Sequence, residues 1–163
     1  ERGLKANPNN VQLTMLLGTE LERATRRDDA IKLYENLLKA SPDVEPATNN
    51  LAALLLDYRT DKASMVRALE LAKKLEKSDN PAVLDTLGWA HYRNGQYAEA
   101  VGVLERVVAK AGQYPIFHYH LGMAYLASGN KVGAKQELKR AVDEAQSDYP
   151  GLEEARAALK KLP

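Results

Sequence analysis

Three imidazoles, His91, His118 and His120, and the single tryptophan, Trp89, are where chemistry would first be sought in this chain. A metal site needs ligands that converge, and His118 and His120, two apart on a helix, point to different faces. General acid–base catalysis needs an acid or nucleophile at fixed distance from the base. No triad or metal-ligand signature supplies one, and His91 and His118 fall where side chains pack on neighbouring helices. The stretch "GNKVGAKQ", residues 129–136, has the glycines of a phosphate loop but neither the Gly-Lys-Ser/Thr ending nor a preceding strand. It reads as a turn and the start of a helix. The pairs Asp143-Glu144 and Glu153-Glu154 read as solvated charges on outward faces. Without cysteine there is no disulfide, thiol nucleophile or thiolate metal site. The expectation is a protein that is not an enzyme and has no cofactor or metal.

The elements that would position these residues follow from the totals and then from a repeat. The 163 residues suffice for one domain with a substantial core. Hydrophobic residues make up 45% and charged residues 28%, the balance of a water-exposed globular chain. The 23 basic and 22 acidic residues are scattered and leave a net charge of +1, so no basic stripe awaits nucleic acid. The longest apolar run is far short of a membrane span. The opening "ERGLKANPNN" lacks the apolar centre of a signal peptide and reads as the last turns of a helix, so the chain is expected to be a fragment.

Leu17-Gly18, Leu87-Gly88 and Leu121-Gly122 set the register of the repeat. Each is followed by an alanine (Ala30, Ala100, Ala134) and then a large apolar residue (Tyr34, Leu104, Leu138). Leu37, Val107 and Ala141 come next, and Leu51-Ala52, Ala68, Ala72 and Leu75 bring in a further unit. The units are 11–44, 45–80, 81–114 and 115–148, preceded by the end of an upstream repeat in 1–10 and followed by a capping helix in 149–163. The second unit is enlarged at "YRTDKASM". Apolar spacing of three and four makes each unit a pair of helices. "TRRD", "RNGQ" and "ASGN" mark the turns inside units, and prolines from Pro8 to Pro150 lie at or beside the junctions. Glycine and alanine let the paired helices approach, and Tyr34, Tyr97, Leu104 and Leu138 are expected in the core.

This is the tetratricopeptide pattern, a 34-residue helix–turn–helix repeat. The chain resembles that family over nearly its whole length, although the usual tryptophan position holds Thr14, Thr48, Leu84 and His118. The resemblance implies an all-α fold, a right-handed superhelix (α-solenoid) of about four units forming a single domain. It also implies a concave groove lined by the first helix of each unit. Carried over position by position, the groove includes Asn49, Asn50, Asp85, Trp89, Tyr92, Arg93, Tyr119, His120 and Met123. Trp89, Tyr92, Tyr119 and Met123 would form an aromatic and apolar patch flanked by Asp85, Arg93 and His120, suited to a peptide hot spot or a sugar platform. The alternative is that these aromatics only cover the neighbouring helix. The carboxylate clamp of chaperone-binding relatives is absent: its places hold Met15, Thr19, Asn50, Ala82 and Thr86.

The pieces "NNLA", "ALELAKK", "NPAVLDTLGWAHYRNGQYAEAV" and "YHLGMAYLASGNKVGAKQEL" go beyond the generic repeat. They resemble the C-terminal repeats of bacterial tetratricopeptide lipoproteins associated with exopolysaccharide export and exosortase systems. That likeness implies an extracytoplasmic or outer-membrane-associated scaffold of a Gram-negative bacterium. The leading expectation is a non-enzymatic scaffold holding a protein or peptide partner in its groove. Direct polysaccharide binding and a structural role in spacing or self-association are the alternatives.

Overall fold

A computed structural model describes residue 7 and residues 10–162; the expected upstream helix end in 1–6 and Pro8 lie outside them. Among the described residues there are helices and no strand. The helices are α1 (Val11–Arg23), α2 (Arg27–Ala40), α3 (Glu45–Tyr58), α4 (Lys62–Lys73), α5 (Pro81–Arg93), α6 (Tyr97–Ala111), α7 (Pro115–Ala127), α8 (Lys131–Asp143) and α9 (Leu152–Lys161). They gather into two compact units, one up to Leu75 and one from Glu76. The first holds α1 to α4, with α2 packed on both α1 and α3. In the second, α5, α7 and α9 form one row, each touching the next, while α6 and α8 pack against that row.

Local chemistry starts and stops the helices. Asn10, Asp61 and Asn130 each accept, through the side chain, a backbone N–H three residues on, at 2.9–3.0 Å, and Asn80 accepts that of Ala82. Such caps satisfy donors that the first turn leaves open. Pro81 and Pro115 occupy the first helical position of α5 and α7, where their missing N–H costs nothing. Gly95 and Gly129 end α5 and α7 at φ 76° and 90°, letting the next residue's N–H reach back to the carbonyls of His91 and Tyr125.

Small-against-large packing holds three of the pairs. A Cβ built on Gly18 would lie 2.1 Å from the Tyr34 hydroxyl; on Gly88 it would lie 2.5 Å from Leu104, and on Gly122 2.7 Å from Leu138. Tyr34, Leu104 and Leu138 are fully buried, as are Ala30, Ala100 and Ala134. Burial of each such leucine contributes about 1.5–3 kcal/mol. Between pairs in the second unit, Leu84, Val107, Ala111 and Phe117 form one cluster and Ala100, Leu104, Leu121 and Ala124 another. Tyr97 departs from expectation: at 39% exposure it is not core. It is the first residue of α6, just beyond the left-handed turn, where its ring only leans on Tyr92 at 5.8 Å.

His118 and His91 pack as expected. His118 is fully buried, with Nδ1 2.5 Å from Glu137 and Nε2 2.7 Å from the Gly112 carbonyl. Both ring nitrogens thus face an acceptor, an arrangement that favours the protonated ring, which can donate from each. Burial alone pulls its pKa down, but Glu137 and the Gly112 carbonyl outweigh that and hold it above the ordinary value. His91 Nδ1 lies 2.6 Å from the Gln96 side-chain oxygen.

Candidate functional site

On α5, residues 85, 89 and 92 share one face by helical spacing, and 119, 123 and 126 do so on α7. The structure brings Asp85, Trp89, Tyr92, Tyr119 and His120 together, but as a buried layer. Trp89 stacks with Tyr92 at 4.5 Å and with the His120 ring at 4.2 Å, near parallel in both cases. His120 Nδ1 lies 2.9 Å from both carboxylate oxygens of Asp85, so the carboxylate is satisfied inside the protein. Trp89 is only 6% exposed, and Asp85, Tyr119, His120 and Met123 are also buried. Tyr92 and Arg93 are half-buried, with the Arg93 guanidinium 6.0 Å from the Trp89 ring.

The His120–Asp85 pair is the arrangement nearest to general-base geometry, yet the neighbouring Thr86 hydroxyl donates to the Ala82 carbonyl instead. Among the described residues no cluster of three metal-ligating side chains occurs. None of the described helices is long and apolar enough to cross a membrane.

Tyr119 links this layer to α9. Its hydroxyl donates to Glu154 at 2.8 Å, and burial together with that carboxylate pushes the phenol far above its ordinary pKa. Gly151, at φ 98°, makes room: a Cβ there would lie 2.2 Å from the Tyr119 ring. Glu154 is therefore a partner of the core and not merely a solvated charge, whereas Glu153 pairs with Arg156 on the surface.

Beside the layer, α7 and α9 leave a cleft of about 390 Å³. Met123, Leu126, Ala157, Ala158 and Leu162 supply its apolar lining, and Lys131, Glu154 and Lys161 its charges. Of the groove positions that the repeat gives on α7, Met123 and Leu126 line it. The sequence assigns residues 149–163 only a capping role, which leaves out the part α9 takes in this cleft. The signal was present: 154, 157, 158 and 161 fall on one helical face.

In the first unit, Asn50 and Asn49 are half-buried. The Asn50 amide donates to the Tyr34 hydroxyl, which donates to Glu22, both at 3.2 Å. Burial raises the Glu22 pKa and, as the largest influence, pushes Tyr34 up to about 12. Asn49 Oδ1 has no hydrogen-bond partner among the described residues.

Comparison with known proteins places these pairs in a family. A tetratricopeptide repeat model matches residues 15–81 and 86–150. A TPR repeat-containing protein of Pseudomonas aeruginosa is 31% identical over 125 residues, covering 75% of this chain. The chain spans about a fifth of that relative's length, the match covering 20% of it. A TPR protein of Thermus thermophilus superposes with a TM-score of 0.73 at 24% identity, over 93% of this chain and 80% of its own. YrrB, described as a TPR protein with an unusual peptide-binding site, gives 0.67 at 15% identity, over 97% and 78%. At these identities the two structures show a common fold. With its Gly–Leu and Gly–Tyr packing and its turns repeating in phase, the chain belongs to the tetratricopeptide repeat family.

Proposed function

We propose that the chain is a non-enzymatic interaction scaffold whose second unit holds a segment of a partner protein in the α7–α9 cleft. The observation that carries this is the cleft itself: an apolar lining beside two lysines and a carboxylate. An inserted apolar side chain would be desolvated there, and an acidic neighbour in the same segment would meet Lys131 or Lys161. Family membership supports the scaffold reading, and a described peptide-binding site in one structural neighbour supports a peptide-like ligand. An envelope or exopolysaccharide setting rests on the closer resemblance of residues 49–138. The sugar-platform alternative gains nothing, since Trp89 and Tyr119, the rings it would use, are buried.

The test is a selection of displayed peptides on the wild-type chain, with recovered sequences measured on Ala157→Glu. Ala157 is exposed on α9, so the change fills the cleft and leaves the core intact. Recovered peptides should combine an apolar and an acidic residue and bind the variant about tenfold or more weakly, the equivalent of one lost anchor. Peptides that bind both proteins equally would remove the cleft from the proposal.

A further inference from the structure

The first unit carries a second surface with different chemistry, at the turn between α1 and α2. In the second unit, Gly95 and Gly129 take the left-handed conformation at this point of the repeat. In the first, the same place is held by Thr25, at φ 58°. The backbone closes alike: the Arg26 N–H reaches the Leu21 carbonyl at 2.8 Å, as Gln96 and Asn130 reach His91 and Tyr125. A β-branched residue in this conformation is strained, and such strain gathers where a site requires a particular backbone. The next residue varies across the repeats: Gln96, like Arg26, makes no side-chain cap. Asn130 caps α8 with its side chain, whereas Arg26 pairs with Asp29 at 2.7 Å.

A second departure from the repeat meets the first. The enlarged link after α3 brings Arg59 to Asp28, forming an ion pair across the helices. Just before it, Tyr58 lies under the Arg27 guanidinium, 3.8 Å from the ring centroid. Together these residues and Lys32 surround a polar cleft of about 620 Å³. Four cations and two carboxylates line it. Both carboxylates are engaged, Asp28 by Arg59 and Asp29 by Arg26. Arg27 and Lys32 have no carboxylate partner among the described residues, and Arg27, stacked by its face, keeps its N–H edge for an acceptor.

We propose that this cleft is a docking site for an acidic segment of a partner protein, whose separated carboxylates are taken by Arg27 and Lys32. The planar fork of Arg27 matches a carboxylate, and the excess of positive charge draws one in. The resident Asp28 and Asp29 work against a dense polyanion, which would have to pass both, but tolerate carboxylates spaced along a peptide. The mixed lining provides no apolar floor, so recognition here is by charge and hydrogen bonds. The site lies wholly within the first unit and does not depend on the α7–α9 cleft.

The test is an NMR titration of the ¹⁵N-labelled chain with the peptide Glu-Gly-Ser-Glu-Gly-Ser-Glu and with its all-glutamine counterpart. Saturable shifts should concentrate in residues 25–32 and 58–60 for the glutamate peptide only, and should weaken as salt is raised. R27Q/K32Q, at one half-buried and one exposed position, should weaken binding about tenfold or more, since both charged hydrogen bonds are lost. Its unperturbed spectrum would show that the fold is retained. Absence of a saturable shift, shifts centred elsewhere, or equal binding by the double variant would overturn the proposal. So would saturation by inorganic phosphate or polygalacturonate under conditions where the glutamate peptide produces none.

Discussion

The aromatic layer of the second unit and the charged cleft of the first grow from the same helical pair but use polar groups in opposite ways. In the layer, Asp85 and His120 are turned on each other, with Trp89 stacked against the imidazole, and little of any of them reaches solvent. In the cleft, the ion pairs of Asp28 and Asp29 stand at the surface and leave Arg27 and Lys32 over. Asp85 and His120 satisfy each other inside the layer, whereas the turn sequence Thr-Arg-Arg-Asp lines an open cleft.

The sharpest way to break this contrast is to remove one half of the buried pair. His120→Leu leaves the Asp85 carboxylate without its donor and should cost about 3–5 kcal/mol in urea unfolding. Adding Asp85→Leu should recover much of that loss, because no orphaned charge remains. A small loss in the single variant would mean that the pair is open to water. Next comes the helix contact common to the repeats: Gly88→Ala presses a methyl into Leu104 and should cost about 1–3 kcal/mol in the same measurement.

The third prediction concerns pH. His118 is held above its ordinary pKa by Glu137 and the Gly112 carbonyl, against burial and the repulsion of Arg140. A raised folded value means that this contribution is complete below the unfolded pKa, about 6.5, and is lost as pH rises through the folded value. Stability from this site should therefore decline upward from about pH 6.5, and Glu137→Gln should flatten the decline. A slope that Glu137→Gln leaves unchanged would assign it to other groups. The smallest effect is a gain: Thr25→Gly relieves the left-handed strain and should raise stability by about 0.5–1 kcal/mol, less than the strain itself because glycine also loosens the unfolded chain.

Much of the fold was legible because the repeat imposes the same packing requirement several times. Leu-Gly followed by Ala30, Ala100 or Ala134 announces helix pairs in close contact, and all three alanines are completely buried. The site was less legible. Helical spacing places Trp89 on the face of α5 that meets α7, but cannot say whether a neighbour covers that face. Coverage here comes from His120, Tyr92 and Tyr119, and their stacking is a three-dimensional fact. Tyr97 is expected in the core, but as the first residue of α6 it has the Tyr92 ring beside it and stays exposed. "TRRD" is visible as a turn, yet neither the left-handed Thr25 nor the meeting of Arg27 with Tyr58 can be read from it, because they depend on how the enlarged link closes.

The most direct test of the contrast uses the single tryptophan. Emission from Trp89, and its quenching by iodide, should be measured in the free chain and with a saturating peptide recovered by selection. A blue-shifted emission that iodide barely reaches, unchanged by the peptide, is predicted for a packed layer with binding elsewhere. A red-shifted emission, quenched by iodide and protected by the peptide, would contradict it and make the face of Trp89 the binding surface.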